Sequence, residues 1–262
     1  MILRGKGNFM LIKRIWPKIL VIGLVVGIMA VGCKNKKNNG ETEILSNVAN
    51  FNQSEEGTMN VFLYVLDTLA DWEISFLIAE INSGRYIKKG IEKPKIIKVG
   101  NNLIPIKTMG GIEISPDIDV DNMNIKKGDL IILPGADTWQ NGNNQKIIDK
   151  IKGNSDIIVA AICGATFALA DNGILDNKKH TSNDKDYLKM ICKNYKGEDF
   201  YEYKPVVVDD NLITAPGIAP LEFTYEVIKR INIMKNDTLE AWYGLFKTNE
   251  QKYFFELMNS LN

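Results

Sequence analysis

The stretch Asp156-Ile-Ile-Val-Ala-Ala-Ile162-Cys163-Gly164-Ala165-Thr166 decides how this chain is read. Its unbroken apolar run fits a strand buried on both faces. The run stops at a cysteine with two small residues behind it, and helical sequence resumes at Thr166–Ala170. A strand that enters a helix within a residue or two of a nucleophile requires a strained turn, and small neighbours let the backbone fold that tightly. Such an elbow holds the side chain above the sheet, beside a helix N-terminus whose partial positive charge lowers a thiol pKa. The alternative is a structural cysteine, since free Cys is among the most buried residue types.

Outward from this elbow, strand-like and helix-like segments alternate. Residues 60–66 and 129–133 are apolar runs like 156–162, and 95–99 is a shorter strand. Helical periodicity covers 71–81, 144–152 and 221–231, with two amphipathic helices near 238–246 and 250–261. Residues 101–114 suggest a hairpin-like excursion, and 204–208 and 211–214 read as late strands. This alternation predicts a mostly parallel sheet covered on both faces, a flavodoxin-like three-layer α/β sandwich. In such sheets the ligand crevice lies beyond the carboxyl ends of the strands.

The chain before residue 60 has a different character. Its first 18 residues carry five basic side chains and no acidic one, and a 13-residue apolar run, Ile19–Val31, follows. A membrane-spanning helix needs about 20 apolar residues, so this run is a secretory h-region in length. Ala30-Val31-Gly32-Cys33 resembles a bacterial lipobox, which makes residues 1–33 a lipoprotein signal with Cys33 the lipidated terminus. An uncleaved membrane anchor is the alternative, and either one places the protein outside the cytoplasm, held at the outer face of the membrane. Residues 34–59 are polar and read as a flexible tether. Residues 60–262 then form the folded domain, with 24 basic and 28 acidic side chains and no electrostatic case for nucleic acid. One histidine and three cysteines exclude most His/Cys metal sites and any multi-disulfide framework.

Three strand ends face the expected crevice. The elbow contributes Cys163 and the Gly164 amide. Leu133-Pro134-Gly135-Ala136 contributes a second N–H, that of Ala136, and two such donors would make an oxyanion hole. The first strand ends in Asp67-Thr-Leu-Ala-Asp71-Trp72-Glu73. Its acids either favour a helix dipole or send one carboxyl across to Cys163.

Taken together, Asp71-Trp-Glu73, Leu-Pro-Gly135, Ala-Ala-Ile-Cys163-Gly-Ala and Ala215-Pro-Gly-Ile-Ala-Pro-Leu-Glu-Phe223 resemble the ThiJ/PfpI superfamily, relatives of the class I glutamine amidotransferases. The resemblance implies a flavodoxin-like fold, homodimerisation, Cys163 as nucleophile and Glu73 as its acidic partner. It also implies a protonated carboxyl hydrogen-bonded to a thiolate. The chain departs from the pattern at the histidine. Gly164 follows the cysteine where some members have His, and Asn183 best matches the distal histidine position of others. His180 lies three residues earlier, an odd offset that on a strand points to the opposite face. A register shift would bring it back, so both residues stay candidates. Cys192 reads as packing, with a Cys163–Cys192 disulfide as the alternative. Trp242, Tyr243, Phe246, Tyr253, Phe254 and Phe255 read as core or a dimer face.

The function expected is thiol-dependent hydrolase, lyase or amidotransferase-like chemistry on a small carbonyl or amide substrate, with no metal and no cofactor. The alternative is a non-catalytic envelope protein that senses oxidants or binds a ligand or a protein through the same crevice.

Overall fold

Strands β1 (Asn60–Tyr64), β6 (Leu130–Leu133) and β7 (Ile158–Ile162) are buried at every position, because each lies between two parallel neighbours and under helices on both faces. The computed structural model describes residues 57–261 except residue 142. The lipobox and Cys33, the apolar run before it and nearly all of the tether lie outside the described residues. The described elements belong to one compact unit.

The remaining strands are β2 (Lys95–Gly100), β3 (Ile106–Lys107), β4 (Glu113–Ile114), β5 (Ile118–Asp119), β8 (Val207–Asp209) and β9 (Leu212–Ala215). Seven of these nine make one sheet in the order β5-β2-β1-β6-β7-β9-β8. All its pairings are parallel except β8–β9, a hairpin that turns at Asp210 with φ 55°. The register sets Leu133 beside Ala161 and Ile162 beside Ala215, so three strand ends meet at one level around the elbow. The excursion is an antiparallel pair, β3 with β4. The expected strand at 204–208 shifts to Val207–Asp209, where the chain pairs with β9.

The helices are α1 (Asp71–Ser83), α2 (Gln145–Lys152), α3 (Gly164–Asp171), α4 (Lys185–Ile191), α5 (Pro220–Ile231), α6 (Asn236–Thr248) and α7 (Gln251–Ser260). Helix α3 starts two residues before its periodicity does, because Cys163 itself is the cap and Gly164 the first helical residue. Trp242 on α6 is fully buried and donates its indole N–H to Glu80 on α1 at 3.0 Å. That assigns Trp242 to the core, whereas Phe246, Phe254 and Phe255 are exposed.

Candidate active site

At the elbow Cys163 has φ 58° and ψ −124°. A non-glycine residue there stores about 1–3 kcal/mol of backbone strain, so the surroundings must hold it in place. The Cys163 N–H donates to Ala215 O at 2.9 Å. Its carbonyl accepts from the Thr166 N–H at 3.1 Å and from the Thr166 hydroxyl at 2.6 Å. Ser182 Oγ lies 2.7 Å from that hydroxyl and completes the lock.

Glu73, in the first turn of α1, is fully buried. Its Oε2 accepts the Gly135 N–H at 2.6 Å. Oε1 has no hydrogen-bond partner among the described residues, and the carboxyl as a whole interacts with the Cys163 thiol. Two glycines make this approach possible. A Cβ on Gly135 would sit 2.5 Å from Glu73 Oε2 and 2.8 Å from Cys163 Cβ. A Cβ on Gly217 would sit 2.8 Å from both the sulfur and Oε1. Sterics, not backbone angles, therefore demand glycine at both positions.

Burial pushes the Glu73 carboxyl up from 4.5 to about 7, against the opposing hydrogen bonds from Cys163 and Gly135. Burial, then the Glu73 charge, pushes the Cys163 thiol up to about 11. The expectation that the helix N-terminus lowers the thiol pKa is thus overturned, because desolvation and a neighbouring carboxylate outweigh the dipole. The two groups titrate as a pair. The carboxyl is the first of the two to lose its proton, and its charge then holds the thiol proton more tightly.

Asn183 reaches the sulfur, with Nδ2 donating to Sγ at 3.2 Å. Its Oδ1 accepts the Gly217 N–H at 2.8 Å, which fixes which end of the amide faces the thiol. His180 does not reach it. The ring is buried, Nδ1 lies 2.6 Å from Lys178 O and Nε2 lies 2.6 Å from the Tyr195 hydroxyl. A carbonyl can only accept, so Nδ1 carries the proton and Nε2 accepts from Tyr195. Asp71 is also elsewhere, accepting the Gly110 N–H at 2.7 Å and tying α1 to the β3–β4 turn.

The Ala136 and Gly164 amides are neighbours. A Cβ on Gly164 would lie 3.5 Å from Ala136 N, and no backbone carbonyl among the described residues takes either N–H. Trp139 braces the turn before them by donating Nε1 to Pro134 O at 2.7 Å. Cys163 and Glu73 open into a cavity of about 410 Å³. A shallower depression of about 730 Å³ between α6 and α7 holds neither cysteine nor histidine. Cys163 and Cys192 are both free thiols, and Cys192 donates to Phe167 O at 3.3 Å. That excludes the disulfide in this structure.

Three features escaped the sequence reading. Gly217 lies in the Ala215–Phe223 motif, and nothing in that motif signals its closeness to the sulfur. The Thr166–Ser182 contact joins residues 16 apart in sequence. Trp72 belongs to the Asp71-Trp-Glu73 motif without a role of its own, and its indole N–H donates to Gly217 O at 3.3 Å.

The order of strand ends, the strained cysteine and the carboxyl at its sulfur agree with a match to the DJ-1/PfpI family model over residues 59–230. The chain belongs to the DJ-1/PfpI family. Among curated relatives, the protein named uncharacterized protease YoaZ of Bacillus subtilis (strain 168) is 51% identical over 207 residues, covering 78% of this chain and 99% of its own. A Caenorhabditis elegans relative, named glutathione-independent glyoxalase DJR-1.2, is 27% identical over 145 residues, 52% of this chain and 73% of its own. Among solved structures, a ThiJ/PfpI family protein from Bacillus anthracis superposes with a TM-score of 0.76 at 53% identity, covering 79% of this chain and all of the other. DJ-1/PfpI relatives thus carry both protease and glyoxalase names.

Proposed function

We propose that the crevice performs thiol addition to a small reactive carbonyl compound, with Cys163 as nucleophile and Glu73 as the group that relays its proton. The observation that carries this reading is the set of groups at the thiol: the buried Glu73 carboxyl, the Gly164 N–H, and Asn183 Nδ2, which donates to Sγ and is oriented by the Gly217 N–H. As sulfur attacks, a C–S bond forms and the carbonyl π pair moves onto oxygen. The Ala136 and Gly164 N–H groups are the donors that stabilise that oxyanion. The thiol proton passes to Glu73 and from there to the oxygen, giving a hemithioacetal without a leaving group. Amide hydrolysis asks for more, since an amine must be protonated and a water activated. Asn183 occupies the place of the expected histidine and has no proton to exchange.

The test is consumption of a small 2-oxoaldehyde, with at least one equivalent taken up per Cys163, alongside cleavage of peptide and simple amide substrates, in the wild type and in Cys163→Ala. Carbonyl consumption that vanishes in Cys163→Ala supports the reading. Peptide cleavage that depends on Cys163, with no carbonyl consumption, overturns it. Sulfinate formation at Cys163 with peroxide and no turnover of any substrate also overturns it, in favour of an oxidant sensor. The proposed place of this chemistry is the outer face of a membrane, through a lipid on Cys33, and the proposed assembly is a homodimer.

A further inference from the structure

The cavity around Cys163 is unevenly provided with charge. Two carboxylates line it, Glu73 at its floor and Asp137 at its rim, and among the described residues no Lys, Arg or His does. Its remaining walls mix the apolar or aromatic Trp72, Tyr187, Met109 and Phe167 with the polar but uncharged Gln140 and Asn183, and Trp72 and Tyr187 are exposed. Asp137 directly follows the Ala136 amide. Its own N–H is anchored to Thr68 Oγ1 at 2.9 Å, while its side chain is exposed and has no ion pair among the described residues. The Cys163–Glu73 pair carries one negative charge once its first proton has left. The groups that face this charge are neutral dipoles: the Asn183 amide and the Gly135 and Gly164 N–H groups. The other nearby carboxylate, Asp71, is turned to the Gly110 amide.

We propose that this crevice selects its carbonyl substrate by charge, taking compounds with a cationic substituent first, uncharged ones second and anionic ones such as 2-oxo acids last, and that Asp137 is the residue that sets this order. The inference rests on Cys163 being the reacting nucleophile. A bound anion would meet two like charges with no cation to offset them. A small organic cation would meet Asp137 and the aromatic faces of Trp72 and Tyr187, surfaces that attract such groups. A unit charge within several ångströms of Asp137 in a water-filled mouth changes the encounter enough to separate cation from anion by about tenfold.

Charge-matched thiol reagents test this without knowledge of the substrate. Full-length protein is treated with trimethylammonioethyl, methyl or sulfonatoethyl methanethiosulfonate, and modification is followed as mass gain on the peptide carrying Cys163. In each case the thiolate takes the sulfenyl sulfur and methanesulfinate leaves. Each rate is divided by that of the same reagent with 2-mercaptoethanol. The expected result is a normalised cation-over-anion ratio of about ten, shrinking with added salt and falling several-fold in Asp137→Asn. A ratio near one in the wild type, or the same ratio in Asp137→Asn, overturns the inference while leaving the thiol chemistry intact. If no reagent modifies Cys163, the reading of the site itself has failed and the inference falls with it.

Discussion

Replacing Glu73 by glutamine removes one charge from the most buried point of the site, and its effect on stability has a sign fixed by the titration. The folded-state pKa of Glu73 lies above its ordinary value, at about 7 against 4.5. Protonated Glu73 is therefore tolerated, and stability falls as pH rises from 4.5 through 7, because the buried carboxyl must ionise. At 1.36 kcal/mol per pKa unit the full loss is about 3 kcal/mol, of which about 2.5 kcal/mol falls between pH 5 and pH 8. The glutamine side chain does not ionise, and its carbonyl can still accept the Gly135 N–H. Relative to the wild type, Glu73→Gln should thus gain about 2.5 kcal/mol on going from pH 5 to pH 8. For a domain of this size that is a relative rise in Tm of roughly 5–10 °C. Urea titrations of both proteins at the two pH values measure it. A stability difference that is the same at pH 5 and pH 8 would refute the claim that burial raises this carboxyl.

Asn183→Ala removes the donor at the sulfur, and a hydrogen bond to a charged group contributes about 1.5 kcal/mol or more. Alkylation of Cys163 at pH 8 should slow about tenfold, as measured by iodoacetamide labelling. Gly135→Ala forces a Cβ to within 2.5 Å of Glu73 Oε2, so it should destabilise the fold by about 1–3 kcal/mol in urea and disrupt the Cys163–Glu73 contact. Cys33→Ser should release the protein from the membrane fraction, as scored by immunoblot of fractionated cells.

How much of this was readable from residues alone depended on how local each cause is. The three buried strands announce themselves as apolar runs, and the elbow as a strand broken by Cys-Gly-Ala. Strand β5 is two residues long and carries no period to detect. The excursion at 101–114 resolved into β3 and β4 because its turn residues and β-branched positions are a local signal. The site divides the same way. Cys163 was a candidate because it sits at a strand end and Glu73 because of the family resemblance, but which acid turns inward depends on helix phase. Glu73 is buried while Asp71, two residues earlier, faces the β3–β4 turn. The choice between Asn183 and His180 was likewise a matter of facing, and Tyr195 and Lys178 settle where the ring points. The thiol pKa failed for a different reason. A helix terminus is visible in sequence, whereas the depth of burial and the position of Glu73 Oε1 are properties of the assembled crevice.

The central claim is that Cys163 and Glu73 act as one titrating unit. It is tested most directly by the pH profile of iodoacetamide alkylation at Cys163 in the wild type and in Glu73→Gln. The wild-type rate should stay low through neutral pH and rise only toward about pH 11, because burial and the ionised Glu73 carboxylate hold the thiol proton on. In Glu73→Gln the charge that raises the thiol is gone, so the rise should begin at lower pH than in the wild type. Coincident profiles for the two proteins would contradict the account.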